Sequence, residues 1–178
     1  MTASHQALFL AFGSILLLGA CSPKFDWREV RGNDAPFEVL MPAKPDNATR
    51  DVNFGGIRAP MTMTGAEVDG VTFVVGAATL PSPEHAQAAL GQMKTALISN
   101  IGSTTHKEKT TAIGVNGSTM IEVEAAGAGS AASAGQPREL HARFVAKGPR
   151  VYQALVVGPQ GVAPTEAVET FLGSFKVQ

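Results

Sequence analysis

Three ionisable side chains alternate along one segment of the chain, at Glu139, His141 and Arg143. Alternate residues of a β-strand point to the same side of a sheet, so we expect these three side chains to share one face. The preceding predicted strand carries Glu122 and Glu124, which would add negative charge to that face. The residues therefore predict either a polar binding patch of mixed charge or simply a solvated face of a sheet.

The sequence carries no recognisable catalytic motif. No serine lies in a nucleophile-elbow pattern, and no pair of carboxylates has a clear catalytic spacing. His85, His106 and His141 fall on one predicted helix and two different predicted strands, without the paired spacing of metal ligands. We therefore predict a protein that has no enzymatic activity and needs no cofactor or metal.

A pair of methionines, Met61 and Met63, offers thioether sulfur atoms, which suit copper(I). On a strand, however, the two side chains share one face and suit a hydrophobic core equally well. A copper site built from methionine also usually needs more ligands than two. We expect both residues to belong to the core.

A tract rich in Gly, Ala and Ser covers residues 127–136, and within it Gly127, Gly129 and Ala132 have the spacing of a dinucleotide-binding fingerprint. That fingerprint requires a helix directly afterwards, with its N-terminus facing the phosphate. Residues 133–137 carry no apolar stripe. We therefore predict a flexible hairpin loop in this tract rather than a cofactor site.

The only cysteine of the chain, Cys21, follows an uncharged and mostly apolar segment over residues 7–20. This segment has the length of the hydrophobic part of a secretory signal peptide and is short for a membrane span, which needs about 20 apolar residues. Its last residues, Leu18, Gly19 and Ala20, together with Cys21 resemble the lipobox of bacterial lipoproteins. The resemblance implies cleavage before Cys21 and acylation there, and multiple acyl chains hold a protein stably on a bilayer. The alternative is an ordinary cysteine after a chance apolar run.

Charge and length limit the class of protein. The chain has 14 Lys and Arg residues against 15 Asp and Glu residues, a formal net charge of −1. This balance argues against nucleic acid as the main partner.

We divide the chain into a signal peptide over residues 1–20, a lipidated tether over 21–36 and one globular domain over 37–178. A flexible tether of this length would reach about 20 Å on average, and we expect Trp27 within it to pack on the domain.

The apolar pattern predicts two rounds of four strands followed by a helix. The strands are expected over residues 37–41, 50–54, 57–67, 71–78, 104–113, 118–125, 139–146 and 150–157. The almost wholly apolar strand 71–78 should lie inside a sheet, and the polar strand 104–113 near an edge. Strands joined by tight turns, such as the turn expected at Asn116 and Gly117, are antiparallel.

Two amphipathic helices complete the predicted fold. Ser82 suits the start of the first helix as its cap, and Gly102 suits its end. A second helix opens at Pro164, with an apolar face that includes Val168 and Phe171. Because such helices need a sheet to cover, we predict an α+β fold in which two helices cover a largely antiparallel sheet.

Short stretches at both ends of the predicted domain are similar to segments of a known family. They are residues 37–42 with Lys44 and Pro45, and residues 151–159 and 171–176. They resemble the opening strand and turn, and the closing strand and helix, of bacterial PsbP-like domains. The resemblance implies an α/β/α sandwich with a non-catalytic role in binding or assembly beside a larger complex. It carries over no catalytic residue, because the matching positions suit core and turn.

These features predict a lipid-anchored protein of the bacterial cell envelope that faces the periplasm and binds a protein partner. Ser22 follows Cys21, where an Asp would be the familiar signal for the inner membrane, so we expect the outer membrane. The alternative is a periplasmic protein that binds a small ligand or a metal, or a periplasmic hydrolase. Charged groups converging in a pocket around His141 would favour this alternative, whereas a flat patch would favour protein binding.

Overall fold

The computed structural model describes residues 24–33, 35–113 and 118–178, except for the side chain of Ala132. The predicted signal peptide with its lipobox residues 18–20, the lipidation site Cys21 and the predicted turn at residues 116–117 lie outside the described residues. In the parts of the chain that the structure describes, no α-helix has the length and apolar character needed to cross a lipid bilayer.

The described residues form ten β-strands, two α-helices and one 3₁₀ turn. The strands are β1 (Arg28–Arg31), β2 (Phe37–Met41), β3 (Asp46–Phe54), β4 (Ile57–Val68), β5 (Val71–Thr79), β6 (His106–Ile113), β7 (Ser118–Gly127), β8 (Arg138–Lys147), β9 (Arg150–Pro159) and β10 (Lys176–Val177). The helices are α1 (Pro83–Asn100) and α2 (Thr165–Ser174), and the 3₁₀ turn spans Ala131–Ser133.

Seven strands form the main sheet, in the order β3-β4-β5-β9-β8-β7-β6, and every neighbouring pair is antiparallel. This confirms the predicted mixture of helices with a mostly antiparallel sheet. The apolar strand β5 lies inside the sheet and the polar strand β6 at one edge, as predicted. At the other edge, β3 begins at Asp46, earlier than predicted, because its polar and exposed first residues carry no apolar alternation.

Helix α1 covers one face of the main sheet. Ser82 caps it by accepting a hydrogen bond from the backbone N–H of His85 at 3.4 Å, as the predicted start requires. At the other end, Gly102 adopts a φ of 67°, and the N–H of Ser103 donates to the carbonyl oxygen of Ile98 at 3.1 Å. This is the left-handed helix end that glycine favours. The helix buries Ala86, Ala89, Leu90, Met93 and Ile98.

A second layer covers the opposite face, and part of it was not predicted. Helix α2 lies there together with a separate three-stranded sheet of order β1-β2-β10. We predicted a lipidated tether over residues 21–36, but β1 pairs with β2, and Phe25 and Trp27 pack against the core. The tether prediction is therefore wrong for residues 24–31, whereas the predicted packing of Trp27 is confirmed. Strand β1 has three charged residues and one valine, which is too little alternation to predict a strand.

The Gly, Ala and Ser segment over residues 127–136 also differs from the prediction, because it is held against the end of α1. The N–H of Gly129 donates to the carbonyl oxygen of Ile101 at 3.0 Å. The hydroxyl of Ser103 donates to the carbonyl oxygen of Ala126 at 2.7 Å. The prediction of a flexible loop is wrong, because glycine here lets two backbone segments approach closely.

Candidate functional site

A groove lies on the α2 side of the main sheet, between that helix and the outer strands β6 and β7. Its larger cavity has a volume of about 470 Å³, and an adjoining cavity of about 420 Å³ shares Lys107, Glu124 and His141 with it. The larger cavity is lined by charged and aliphatic residues, which include Lys107, Lys109, Glu122, Glu124, His141, Arg143, Val168, Glu169 and Leu172.

Strand register brings the charged residues of this groove together. Glu124 is paired with His141 across β7 and β8, and Glu122 is paired with Arg143. Directly paired residues of an antiparallel sheet point to the same face, so the predicted shared face is confirmed, together with the two glutamates expected to join it. Glu139 lies farther along the same face and lines the smaller cavity.

Arg143 joins the sheet to helix α2. Its Nε donates to Oε1 of Glu122 at 2.8 Å, and its Nη1 donates to the carbonyl oxygen of Leu172 near the C-terminus of α2. A cation at a helix C-terminus meets both unpaired carbonyl groups and the negative end of the helix dipole. Arg143 therefore fixes the position of the helix that forms one wall of the groove.

Glu139 has a similar structural role at the other end of α2. Its carboxylate accepts hydrogen bonds from the backbone N–H of Gly161 at 3.0 Å and of Ala163 at 3.3 Å. These residues belong to the connection between β9 and α2. Of the three predicted patch residues, two thus hold α2 in place, and the third, His141, lines both cavities of the groove.

The edge strand β6 supplies a second charged row, which was not predicted from the sequence. Lys107 is paired with Glu124, with Nζ and Oε2 3.8 Å apart, and Lys109 is paired with Glu122. The lysines alternate in the sequence as the patch residues do, so their spacing was a usable signal. No sequence pattern indicated that Val168, Glu169 and Leu172 line the groove, because their position there depends on where α2 packs against the sheet.

Of the other histidines that the structure describes, His85 lies outside the groove and His106 lines only its smaller cavity. Nδ1 of His85 lies 3.0 Å from the hydroxyl of Ser82 at the start of α1. Nε2 of His106 lies 3.2 Å from Oε2 of Glu108, to which Nζ of Lys94 also donates at 2.6 Å. The hydrogen bond from Lys94, followed by that from His106, lowers the pKa of the Glu108 carboxyl from its usual value.

The predicted core role of the two methionines is confirmed. Met61 is buried and Met63 is partly buried on the α1 side of the sheet, where Nε2 of Gln153 lies 3.9 Å from Sδ of Met63. Gly76 makes room for both, because a Cβ there would meet each side chain at less than the normal contact distance. Among the residues that the structure describes, no group of three or more His, Cys, Asp or Glu residues is placed to hold a metal ion.

The glycine spacing of the dinucleotide fingerprint is followed by only one turn of 3₁₀ helix, Ala131–Ser133. The turn ends at Ala134, which adopts a left-handed φ of 51°. A phosphate site of that type needs the N-terminus of a longer helix. The segment therefore supports the interpretation of a structural loop.

No protein-family model matches this chain, and no curated protein matches it either. The residues of the groove are therefore the basis for inferring a function.

Proposed function

We propose that the protein is a lipid-anchored protein of the bacterial envelope that binds a partner through the groove, without catalysis. The observation that carries this proposal is the composition of the groove: charged side chains of β6, β7 and β8 line it together with the aliphatic side chains of Val168 and Leu172 from α2. Binding surfaces combine apolar and charged side chains in this way. An extended protein segment with apolar and charged side chains would match both.

The internal contacts of the groove support a binding role. Arg143 and Glu122 are joined to each other and to α2, and Glu139 holds the connection that precedes α2. These side chains are engaged in building the walls. Among the described residues that line the larger cavity, none carries a hydroxyl or a thiol that His141 would activate as a nucleophile.

A second candidate is the binding of a small ligand. The shape of the site meets the condition stated above for this alternative, because the charged groups converge in a concave groove around His141 rather than on a flat patch. A cavity of about 470 Å³ lies within the size range of small-molecule sites. A ligand that carries both charges would meet lysine and glutamate side chains in adjacent rows.

The anchor and the finer fold assignment rest on sequence resemblance. Acylation of Cys21 and exposure to the periplasm are proposed from the lipobox-like residues 18–21, and delivery to the outer membrane from Ser22 at the next position. A PsbP-like α/β/α sandwich is proposed from the stretches at both ends of the domain. The placement of α1 on one face of the sheet and α2 on the other supports this proposal.

Site-specific photo-crosslinking in native membranes tests the binding role. A photoreactive amino acid replaces Lys109 in the groove or, as a matched control, Asp51 on the exposed edge strand β3. We expect one discrete cross-linked protein at Lys109 and none at Asp51, and we expect Glu169→Lys to reduce its yield at least fivefold. Equal cross-linking at both positions would contradict a role for the groove. A small molecule retained in native mass spectra, without a cross-linked protein, would support the second candidate instead.

A further inference from the structure

The chain is attached to the folded domain only three residues after Cys21. Nζ of Lys24 lies 2.8 Å from Oδ2 of Asp69, in the turn between β4 and β5. The N–H of Asp26 donates to the carbonyl oxygen of Pro42 at 2.8 Å. The rings of Phe25 and Trp27, whose centroids are 5.6 Å apart, pack against the core.

This attachment limits the distance between the proposed anchor and the domain. Three residues span at most about 11 Å even when fully extended, compared with about 20 Å on average for the flexible tether that the sequence suggested. The polar headgroup region on each side of a bilayer is itself about 5–8 Å thick. An acylated Cys21 would therefore hold this end of the domain at the lipid surface.

Strand register identifies the surface that lies at this end. Thr72, next to the β4–β5 turn, is paired with Val157 near the end of β9, so the connection from β9 to α2 lies beside Asp69. That connection carries Val162, which at 42% exposure is the only exposed large hydrophobic side chain among the described residues. We call this surface, defined by Lys24, Pro42, Asp69 and Val162, the anchor end. The hairpin turn between β8 and β9, beside Lys147, lies at the opposite end of the same strands.

We propose that the anchor end docks on the surface of the membrane that holds Cys21, so that the domain has one orientation relative to the bilayer. This inference rests on the acylation of Cys21 that is part of the proposed function. The side chain of Lys24 is half-exposed, so its ammonium can meet lipid phosphate while it remains beside Asp69, and the side chain of Val162 can enter the interface. The β8–β9 hairpin then points away from the membrane, toward the periplasm.

Depth-dependent fluorescence quenching tests this orientation with the full lipidated protein in vesicles of phosphatidylethanolamine and phosphatidylglycerol. Val162→Cys and, as the matched control, Lys147→Cys are each labelled with a thiol-reactive fluorophore. Cys21 is the only natural cysteine, and its acylation leaves the introduced thiol as the only reactive one. We expect a lipid-attached quencher to quench the label at position 162 at least threefold more than the label at 147. Equal quenching, or stronger quenching at 147, would overturn the proposed orientation.

Two further measurements separate this inference from the proposal on which it rests. Intact-mass analysis of the same preparations shows whether Cys21 is acylated, and a chain without acyl mass would overturn both. Acylated protein with equal quenching at the two sites would overturn only the orientation. A variant with eight Gly and Ser residues inserted after Ser22 keeps the acyl mass but should lose the difference in quenching. If the label at position 162 were still quenched more than the label at 147 after the insertion, the short connection to Cys21 would not be the cause of the orientation.

Discussion

The ionisable residues of the groove divide into those that build it and those that face its interior. Arg143 and Glu139 make hydrogen bonds at the two ends of α2. His141 lies between them on the same strand and lines both cavities. The alternation that identified all three residues reports only their shared face, so it could not distinguish these roles.

Replacing Glu139 tests its structural role. Glu139→Ala removes the acceptor of two backbone N–H groups, and we expect the free energy of unfolding to fall by about 1–3 kcal/mol. Glu139→Gln retains one acceptor oxygen and should lose less. Urea unfolding at neutral pH measures both changes. A wild-type midpoint for Glu139→Ala would show that the β9–α2 connection does not depend on this carboxylate.

The lowered pKa of Glu108, which lies on the α1 side of the sheet, predicts that the stability of the protein depends on pH. Hydrogen bonds from Lys94 and then His106 favour the ionised carboxylate in the folded state. The folded pKa lies below the unfolded value, so the stabilisation is present above the ordinary value of 4.5 and is lost as the pH falls through the lowered pKa. The wild type should therefore be more stable than Glu108→Gln at pH 7. Unfolding midpoints measured between pH 7 and pH 3 should converge, and a constant difference would contradict the assignment.

At the scale of elements, close packing explains the segment that composition described as flexible. Residues 127–136 lie against the C-terminus of α1, where the N–H of Gly129 meets the carbonyl oxygen of Ile101. A Cβ built at Gly127 would overlap the same carbonyl oxygen and the N–H of Ser103. The atoms nearest to this Cβ all belong to the backbone, so no flexible side chain could move away to make room for it.

A pair of glycine substitutions tests this packing. Gly127→Ala should lower the free energy of unfolding by about 1–3 kcal/mol, because the added methyl group collides with backbone. Gly91→Ala is the matched control, since Gly91 is exposed within α1 and nothing lies near its absent Cβ. That control should raise stability by about 1 kcal/mol through helix propensity. Thermal unfolding of both variants measures the contrast, and equal shifts would refute the tight contact.

At the scale of the whole molecule, the three-stranded sheet brings the first and last described strands together. Strand β2 pairs with β1 on one side and β10 on the other. The N–H of Gln178 donates to the carbonyl oxygen of Pro36 at 3.2 Å, and its side chain donates to Glu38 at 2.8 Å. The small sheet completes the core on the α2 side of the molecule, so residues 24–31 are part of the folded domain rather than a linker.

Trp27→Ala tests whether this segment unfolds with the domain. The partly buried indole packs against the α2-side core, and we expect its loss to lower the free energy of unfolding by about 2 kcal/mol, less than for a fully buried tryptophan. Glu29→Gln, an exposed change on β1, is the control and should leave stability unchanged. Urea unfolding of protein that begins at residue 22 measures both. A wild-type midpoint for Trp27→Ala would restore the interpretation of a tether.

Features that depend on the local order of residues were predictable from the amino-acid sequence. The alternation of charged residues predicted that Glu139, His141 and Arg143 share one face of the sheet. Ser82 and Gly102 predicted the two ends of α1, and the apolar and polar compositions of β5 and β6 predicted their inner and edge positions. Features that depend on contacts between distant segments became evident only from the packing of the folded chain. The lysines of β6 line the same cavity as α2, β1 pairs with β2, and residues 127–136 lie against the end of α1. Hydrophobic periodicity and secondary-structure propensity depend on residues that are close in the sequence. The groove and the packing of residues 127–136 on α1 form where distant segments meet, so no local sequence pattern predicts them.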